Sequence, residues 1–146
     1  MARDELTLIY GGGAVGLMGV IADSVLDAGG SVIGVIPKGL FQREIGHSRL
    51  TELIEVSSMH QRKQKMFELA DGFVALPGGL GTMEELTEMA TWSQLGIHAK
   101  PIVTLDVARY WQPFHLMLEA AVAGGFMRGD NLRLIANVES VDAVIP

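Results

Sequence analysis

A short apolar run, Phe73-Val74-Ala75-Leu76, breaks into Pro77-Gly78-Gly79-Leu80-Gly81-Thr82 and continues as Met83-Glu84-Glu85. The apolar run reads as a buried strand, and Thr82 to Gly96 reads as a helix. Glycines at a strand-to-helix turn let the backbone approach a ligand closely. The free N–H groups of the following helix start favour an anion there. Glu84 and Glu85 are expected in the helix's first turn, beside that anion site. A phosphate next to a carboxylate points to a phosphorylated sugar or a nucleotide. The helix dipole alone would also favour acidic residues at this end, but the turn is denser in glycine than a helix cap requires.

A second glycine turn lies near the start. Leu6 to Tyr10 reads as a buried strand, Gly11-Gly12-Gly13-Ala14-Val15-Gly16 as the turn, and Leu17 to Ala28 as a helix stopped by Gly29-Gly30. Gly11, Gly13 and Gly16 match the dinucleotide fingerprint G-x-G-x-x-G in the right strand–helix context. A nicotinamide site also places an acid ~20 residues on, at the end of the next strand, to hold the ribose. Here that strand ends Val35-Ile36-Pro37-Lys38. The turn is therefore read as a nucleotide or phosphate contact, with NAD not expected. A tight turn with close helix–sheet packing would use the same glycines. Neither turn is a Walker A loop, since no Gly-Lys-Ser/Thr follows.

Further strands are expected at Ser31 to Ile36, Glu52 to Val56, Ile102 to Leu105 and, more weakly, Leu132 to Asn137. Further helices are expected from a Ser57 or Ser58 cap to about Ala70, from Tyr110 to Ala123, and from Val141 onward. Short β-branched strands alternating with helices predict an α/β, Rossmann-like three-layer fold: a parallel sheet with helices on both faces. Ligands in such sheets bind at strand carboxyl ends, where both glycine turns fall. At 146 residues the chain is expected to be one domain, 1–146. A net charge of −6 argues against nucleic acid or a membrane surface as partner. The absence of cysteine excludes disulfides and thiol catalysis and fits a cytoplasmic protein. No apolar run approaches the ~18 residues of a membrane span.

Met59-His60-Gln61-Arg62-Lys63-Gln64-Lys65 places three cations within one helical turn. Arg62 and Lys65 share a face and Lys63 points elsewhere. A solvated basic face and a ligand contact are both open on this segment alone. Arg43-Glu44-Ile45 lies in the long loop after the second strand and reads equally as a surface ion pair. The histidines, His47, His60, His98 and His115, show no metal-like pairing. Trp92 and Trp111 read as core or interface.

The Pro77-to-Glu85 motif, Met59-His60-Gln61-Arg62-Lys63, and Tyr10-Gly11-Gly12-Gly13-Ala14-Val15-Gly16-Leu17-Met18-Gly19 together resemble the LOG ("Lonely Guy") family. Its members are cytokinin riboside 5′-monophosphate phosphoribohydrolases, and many carry the label "lysine decarboxylase-like". The resemblance covers essentially the whole chain. It implies hydrolysis of the N-glycosidic bond of an adenine-type nucleoside 5′-monophosphate, AMP or a cytokinin riboside monophosphate. It assigns Arg62 and Glu85 as the catalytic pair, with Glu85 and not Glu84 as the motif's glutamate. Gly12, Gly13, Glu44, Met59, Lys63, Gly78, Gly79, Gly81 and Thr82 are assigned to the substrate. No metal or redox cofactor is implied, and a homodimer or larger homo-oligomer is. Family members begin with another strand and helix before the Tyr-Gly-Gly-Gly strand, and this sequence lacks both, so a shortened fold is expected. A non-catalytic nucleotide- or cofactor-binding carrier on the same fold is the alternative. Lysine decarboxylation would need a Schiff-base lysine and a pyridoxal phosphate site. None of Lys38, Lys63, Lys65 and Lys100 has a spacing that argues for that role.

Overall fold

The β-branched runs form parallel strands, and the segments between them form helices. The computed structural model describes residues 1–39 and 46–145, and the chain divides into two units, Met1–Ala70 and Asp71–Pro146. The expectation at Arg43-Glu44-Ile45 lies outside the described residues.

The first unit contains β1 (Leu8–Tyr10), α1 (Leu17–Asp27), β2 (Val32–Pro37), β3 (Glu52–Val56) and α2 (Met59–Leu69). Its sheet runs β1-β2-β3, all parallel, with Leu8 opposite Val32 and Ile33 opposite Glu52. The central strand is the buried one, and Val32, Val35 and Ile36 are wholly enclosed. That is why it reads as an unbroken apolar run. α1 turns Gly19, Ala22 and Val25 inward, one residue per turn, and Ala22 and Val25 join Tyr10 and Val32 in the core. It ends where Gly29 takes a positive φ, with the Gly30 N–H on the Val25 carbonyl. Ser58 caps α2 by accepting from the Gln61 N–H, and the Gln61 side chain reaches back to Ser57.

The second unit contains β4 (Phe73–Ala75), α3 (Leu80–Gln94), β5 (Ile102–Leu105), α4 (Gln112–Ala123) and β6 (Ala136–Val138). Its sheet runs β4-β5-β6, again parallel. Ile102, Leu105, Leu86, Met89, Ile135 and the wholly buried Trp111 are buried here. No described helix is long and apolar enough to cross a membrane.

The strand–helix order holds, with local differences: β1 starts at Leu8 and not Leu6, α4 starts at Gln112 and not Tyr110, and three others bear on the site or the last elements. α3 starts at Leu80, two residues before the expected Thr82, so Glu84 and Glu85 fall in the second turn and not the first. Gly129–Leu134 is a 3₁₀ segment where a strand was expected from Leu132, and only Ala136–Val138 pairs with β5. Val141–Ala143 forms a single 3₁₀ turn.

Gly34 shows how tightly the first sheet meets its glycine turn. A Cβ on Gly34 would come within 2.8 Å of the Gly12 Cα and 2.5 Å of Leu50 Cδ1. Gly34→Ala is therefore expected to cost about 1–3 kcal/mol, read as a lowered denaturant midpoint. An unchanged midpoint would show that β2 and the turn can separate freely.

Candidate active site

In the first unit the glycine turn is held by its carbonyls. The Gly11 carbonyl accepts from Arg62 Nη2 at 3.1 Å, Gly12 from the His47 N–H at 3.0 Å, and Gly13 from the Tyr10 hydroxyl at 3.1 Å. Three consecutive peptides are thus fixed by donors from α2, from the segment after β2 and from β1. Gly11 has no side chain because Arg62 occupies that space: a Cβ there would lie 1.7 Å from Nη2. Gly12 has φ +79, a conformation that disfavours any side chain.

Arg62 is the one buried residue of α2, at 7% exposure. The basic run therefore is not a uniform solvated face: Lys65 is partly exposed and approaches Glu68 at 3.8 Å, and Lys63 is half-buried. Arg62 Nη1 donates to Met59 Sδ at 3.8 Å, and its Nε is buried with no hydrogen-bond partner. Among the described residues no carboxylate pairs with it. A buried cation without a counter-ion is costly unless something anionic or accepting completes it. The structure therefore brings Gly11, Gly12, Gly13, Met59 and Arg62 together. Glu44 lies outside the described residues.

His47 is a contributor that the sequence did not single out. Its Nδ1 accepts from the Arg49 N–H, so Nε2 carries the proton and donates to Asp23 Oδ1 at 3.2 Å. Arg49 bridges Asp23 and Asp27 at 2.9 and 2.5 Å. The contact joins residues 24 positions apart, beyond any local pattern. Burial, and next the negative charge of Asp23, push the Tyr10 phenol up to about 12.

The second unit supplies the other glycine turn. Gly79 caps α3, and the N–H groups of Leu80, Gly81 and Thr82 open its first turn without intrahelical acceptors. A Cβ on Gly78 would lie 2.2 Å from Thr82 Oγ1, so Gly78 is small to admit Thr82. A Cβ on Gly79 or Gly81 would meet nothing within 4 Å. Protein packing therefore does not explain those two glycines. Glu85 lies three residues after Thr82 and four after Gly81, on their stripe of the helix, and is half-buried. Glu84 is exposed and shares its stripe with the exposed Leu80. The structure thus sets Gly78, Gly79, Gly81, Thr82 and Glu85 along one turn and helix start. Among the described residues no group of three His, Asp or Glu side chains converges as a metal site would.

A family model described as "Possible lysine decarboxylase" matches residues 18–146. A probable cytokinin riboside 5′-monophosphate phosphoribohydrolase of Oryza sativa subsp. japonica is 48% identical over 140 residues, 96% of this chain and 63% of the relative. A cytokinin riboside 5′-monophosphate phosphoribohydrolase of Arabidopsis thaliana is 46% identical over 145 residues, 99% of this chain and 68% of the relative. One of Rhodococcoides fascians is 51% identical over 128 residues, 87% and 65% of the two chains. The chain belongs to the LOG family. It spans roughly 58–68% of the length of the first curated relatives it matches. As a LOG-family chain it carries the glycine turn, the Arg62 helix and the Gly79–Glu85 helix start in the order the motifs predict.

Two outcomes are expected from this geometry. Gly81→Ala should stabilise the fold by about 0.5–1 kcal/mol, since alanine suits a helix better than glycine, while weakening inorganic-phosphate binding in calorimetry. A gain in stability with phosphate affinity unchanged would show that the bare glycines serve no anion. Tyr10 concerns alkaline stability. The unfolded phenol loses its proton near 10.0 and the folded one only near 12. Its contribution is therefore whole below pH 10 and is lost as pH rises through 12. Tyr10→Phe should flatten the denaturant midpoint across that window, and a midpoint falling as steeply as in the parent would remove Tyr10 as the cause.

Proposed function

We propose that this chain hydrolyses the N-glycosidic bond of adenine-type nucleoside 5′-monophosphates, AMP or a cytokinin riboside monophosphate, to free base and ribose 5-phosphate. The observation that carries this is the buried Arg62 guanidinium, which lacks an anionic partner among the described residues and keeps an unpartnered Nε. An anionic substrate completes such a group. The names of the rice, Arabidopsis and Rhodococcoides relatives support the substrate class.

In this reaction the bond from C1′ to the base nitrogen breaks and its electron pair leaves with the base. C1′ becomes oxocarbenium-like, water adds there, and the proton that water loses ends on the base. Glu85 holds the ribose hydroxyls, offsets the developing positive charge and orients the water, the electrostatic logic of glycoside hydrolysis. Arg62 stays protonated, so it orients substrate and balances charge on phosphate or leaving base and does not donate a proton. Gly79, Gly81 and Thr82 present donors to the 5′-phosphate, and Gly78 shapes that turn. Gly12, Gly13, Met59, Lys63 and Glu44 are assigned to the nucleotide.

Decarboxylation of lysine fits poorly. A Schiff-base lysine is activated by desolvation or by a cationic neighbour, yet Lys38 is exposed and Lys63, Lys65 and Lys100 are only half-buried. We assign the protein to the cytoplasm as a homodimer or larger homo-oligomer. Leu116 and Met117 of α4, and Phe126 at 90% exposure, are apolar surface for such an assembly to cover.

Purified protein incubated with AMP and, separately, with isopentenyladenosine 5′-monophosphate should release free base and ribose 5-phosphate, resolved by chromatography. Glu85→Gln should lower kcat by about 100-fold or more, roughly 3 kcal/mol of barrier. Binding of both nucleotides by folded protein without release would identify a carrier instead.

A further inference from the structure

We infer that Tyr110 is a positioning residue for the anion turn, its hydroxyl setting the Gly78–Gly79 peptide so that the Gly79 N–H is presented with those of α3. This role rests on the proposed activity, in which that turn takes the 5′-phosphate. The Tyr110 hydroxyl donates to the Gly78 carbonyl. In a trans peptide the carbonyl and the following N–H point in opposite directions. Fixing the Gly78 oxygen therefore aims the Gly79 N–H away from Tyr110. The other side of Gly78 is fixed too, since Thr82 fills the space a Cβ would take. Gly79 and Gly81, beyond it, face open space. One half of the turn is thus clamped and the other half left bare, as an anion site requires of a preorganised backbone.

The chain adopts unfavourable backbone to bring Tyr110 there. Between β5 and α4, Ala108 and Arg109 both have left-handed φ, +53 and +61, with no glycine to relieve them. Beyond this stretch the chain is anchored firmly. The Trp111 N–H donates to Asp106 Oδ1 at 2.7 Å, and Asp106 Oδ2 accepts from Asn137 Nδ2 at 3.2 Å. Trp111 is wholly buried, and the Tyr110 ring stands edge-on to it at 5.2 Å. The ring itself is 40% exposed, so a bond from its hydroxyl adds little to the core. Strained backbone serving a surface hydroxyl has its reason in what that hydroxyl holds.

Tyr110→Phe removes the hydroxyl and keeps the ring. Calorimetry with inorganic phosphate and with ribose 5-phosphate should show affinity about tenfold weaker than the parent's. With AMP, KM should rise by about the same factor and kcat should stay within about threefold. The Gly79 amide resonance should move in the nitrogen–proton correlation spectrum, because its peptide loses a hydrogen bond, while the thermal midpoint holds. Unchanged phosphate affinity would overturn the inference. So would a loss of affinity that comes with a lowered midpoint and an unmoved Gly79 amide. A parent that binds ribose 5-phosphate but leaves AMP intact would overturn the hydrolase activity alone, and Tyr110 would then be judged by the binding arm. A parent that binds neither phosphate compound would overturn the Tyr110 role.

Discussion

A guanidinium shut inside an α/β unit governs what surrounds it. Arg62 cannot lose its charge and cannot reach water easily, so its neighbours must supply acceptors and room. Gly11 supplies both: its carbonyl takes one N–H, and its missing side chain makes the space. The next two glycines depend on that commitment. With Gly11 turned to face α2, Gly12 needs a positive φ to reverse the chain, and Gly34 of β2 must be bare to let Gly12 lie against it.

The glycines therefore fall into physically different kinds. Gly11, Gly34 and Gly78 are small because a neighbouring atom occupies the place of their side chain. Gly12 and Gly16 are needed for positive φ. Gly79 and Gly81 satisfy neither condition: their φ is not positive, and nothing stands within 4 Å of the place a methyl group would take. Their bareness is visible only from coordinates. In the sequence a glycine that avoids a clash and a glycine that leaves room look alike.

Much of the architecture was legible because it rests on local chemistry. β-Branched runs gave β3 and β5 at their observed bounds, a cap at Ser57 or Ser58 was expected for α2 and Ser58 provides it, and Gly29 and Gly96 marked helix ends. The 3₁₀ segment before β6 was not legible, since Leu132 to Ile135 is as apolar as a strand and only pairing with β5 decides which residues join the sheet. Arg62, Lys63 and Lys65 differ little as letters, and burial distinguishes them only through contact with a turn 51 residues away. Tyr110 gave no signal, because its left-handed approach uses alanine and arginine where glycine would have announced the turn. Long-range contacts and unannounced backbone thus hid the supporting residues, while the motif residues themselves stood out.

The two glycine turns also differ in polarity. In the first, protein donors take the carbonyls of Gly11, Gly12 and Gly13. In the second, the carbonyl of Gly78 is taken by Tyr110, and the helix N–H groups beyond it are left without intrahelical acceptors. In both arrangements a protein donor occupies a turn carbonyl, which suits an anion better than a cation. This matters in a chain of net charge −6. A doubly charged phosphate approaching such a protein meets repulsion that salt screens beyond about 8 Å. Inside that distance only fixed local donors can reverse the sign. The open helix start of α3 supplies such donors, and Glu85 sits one turn along the same helix.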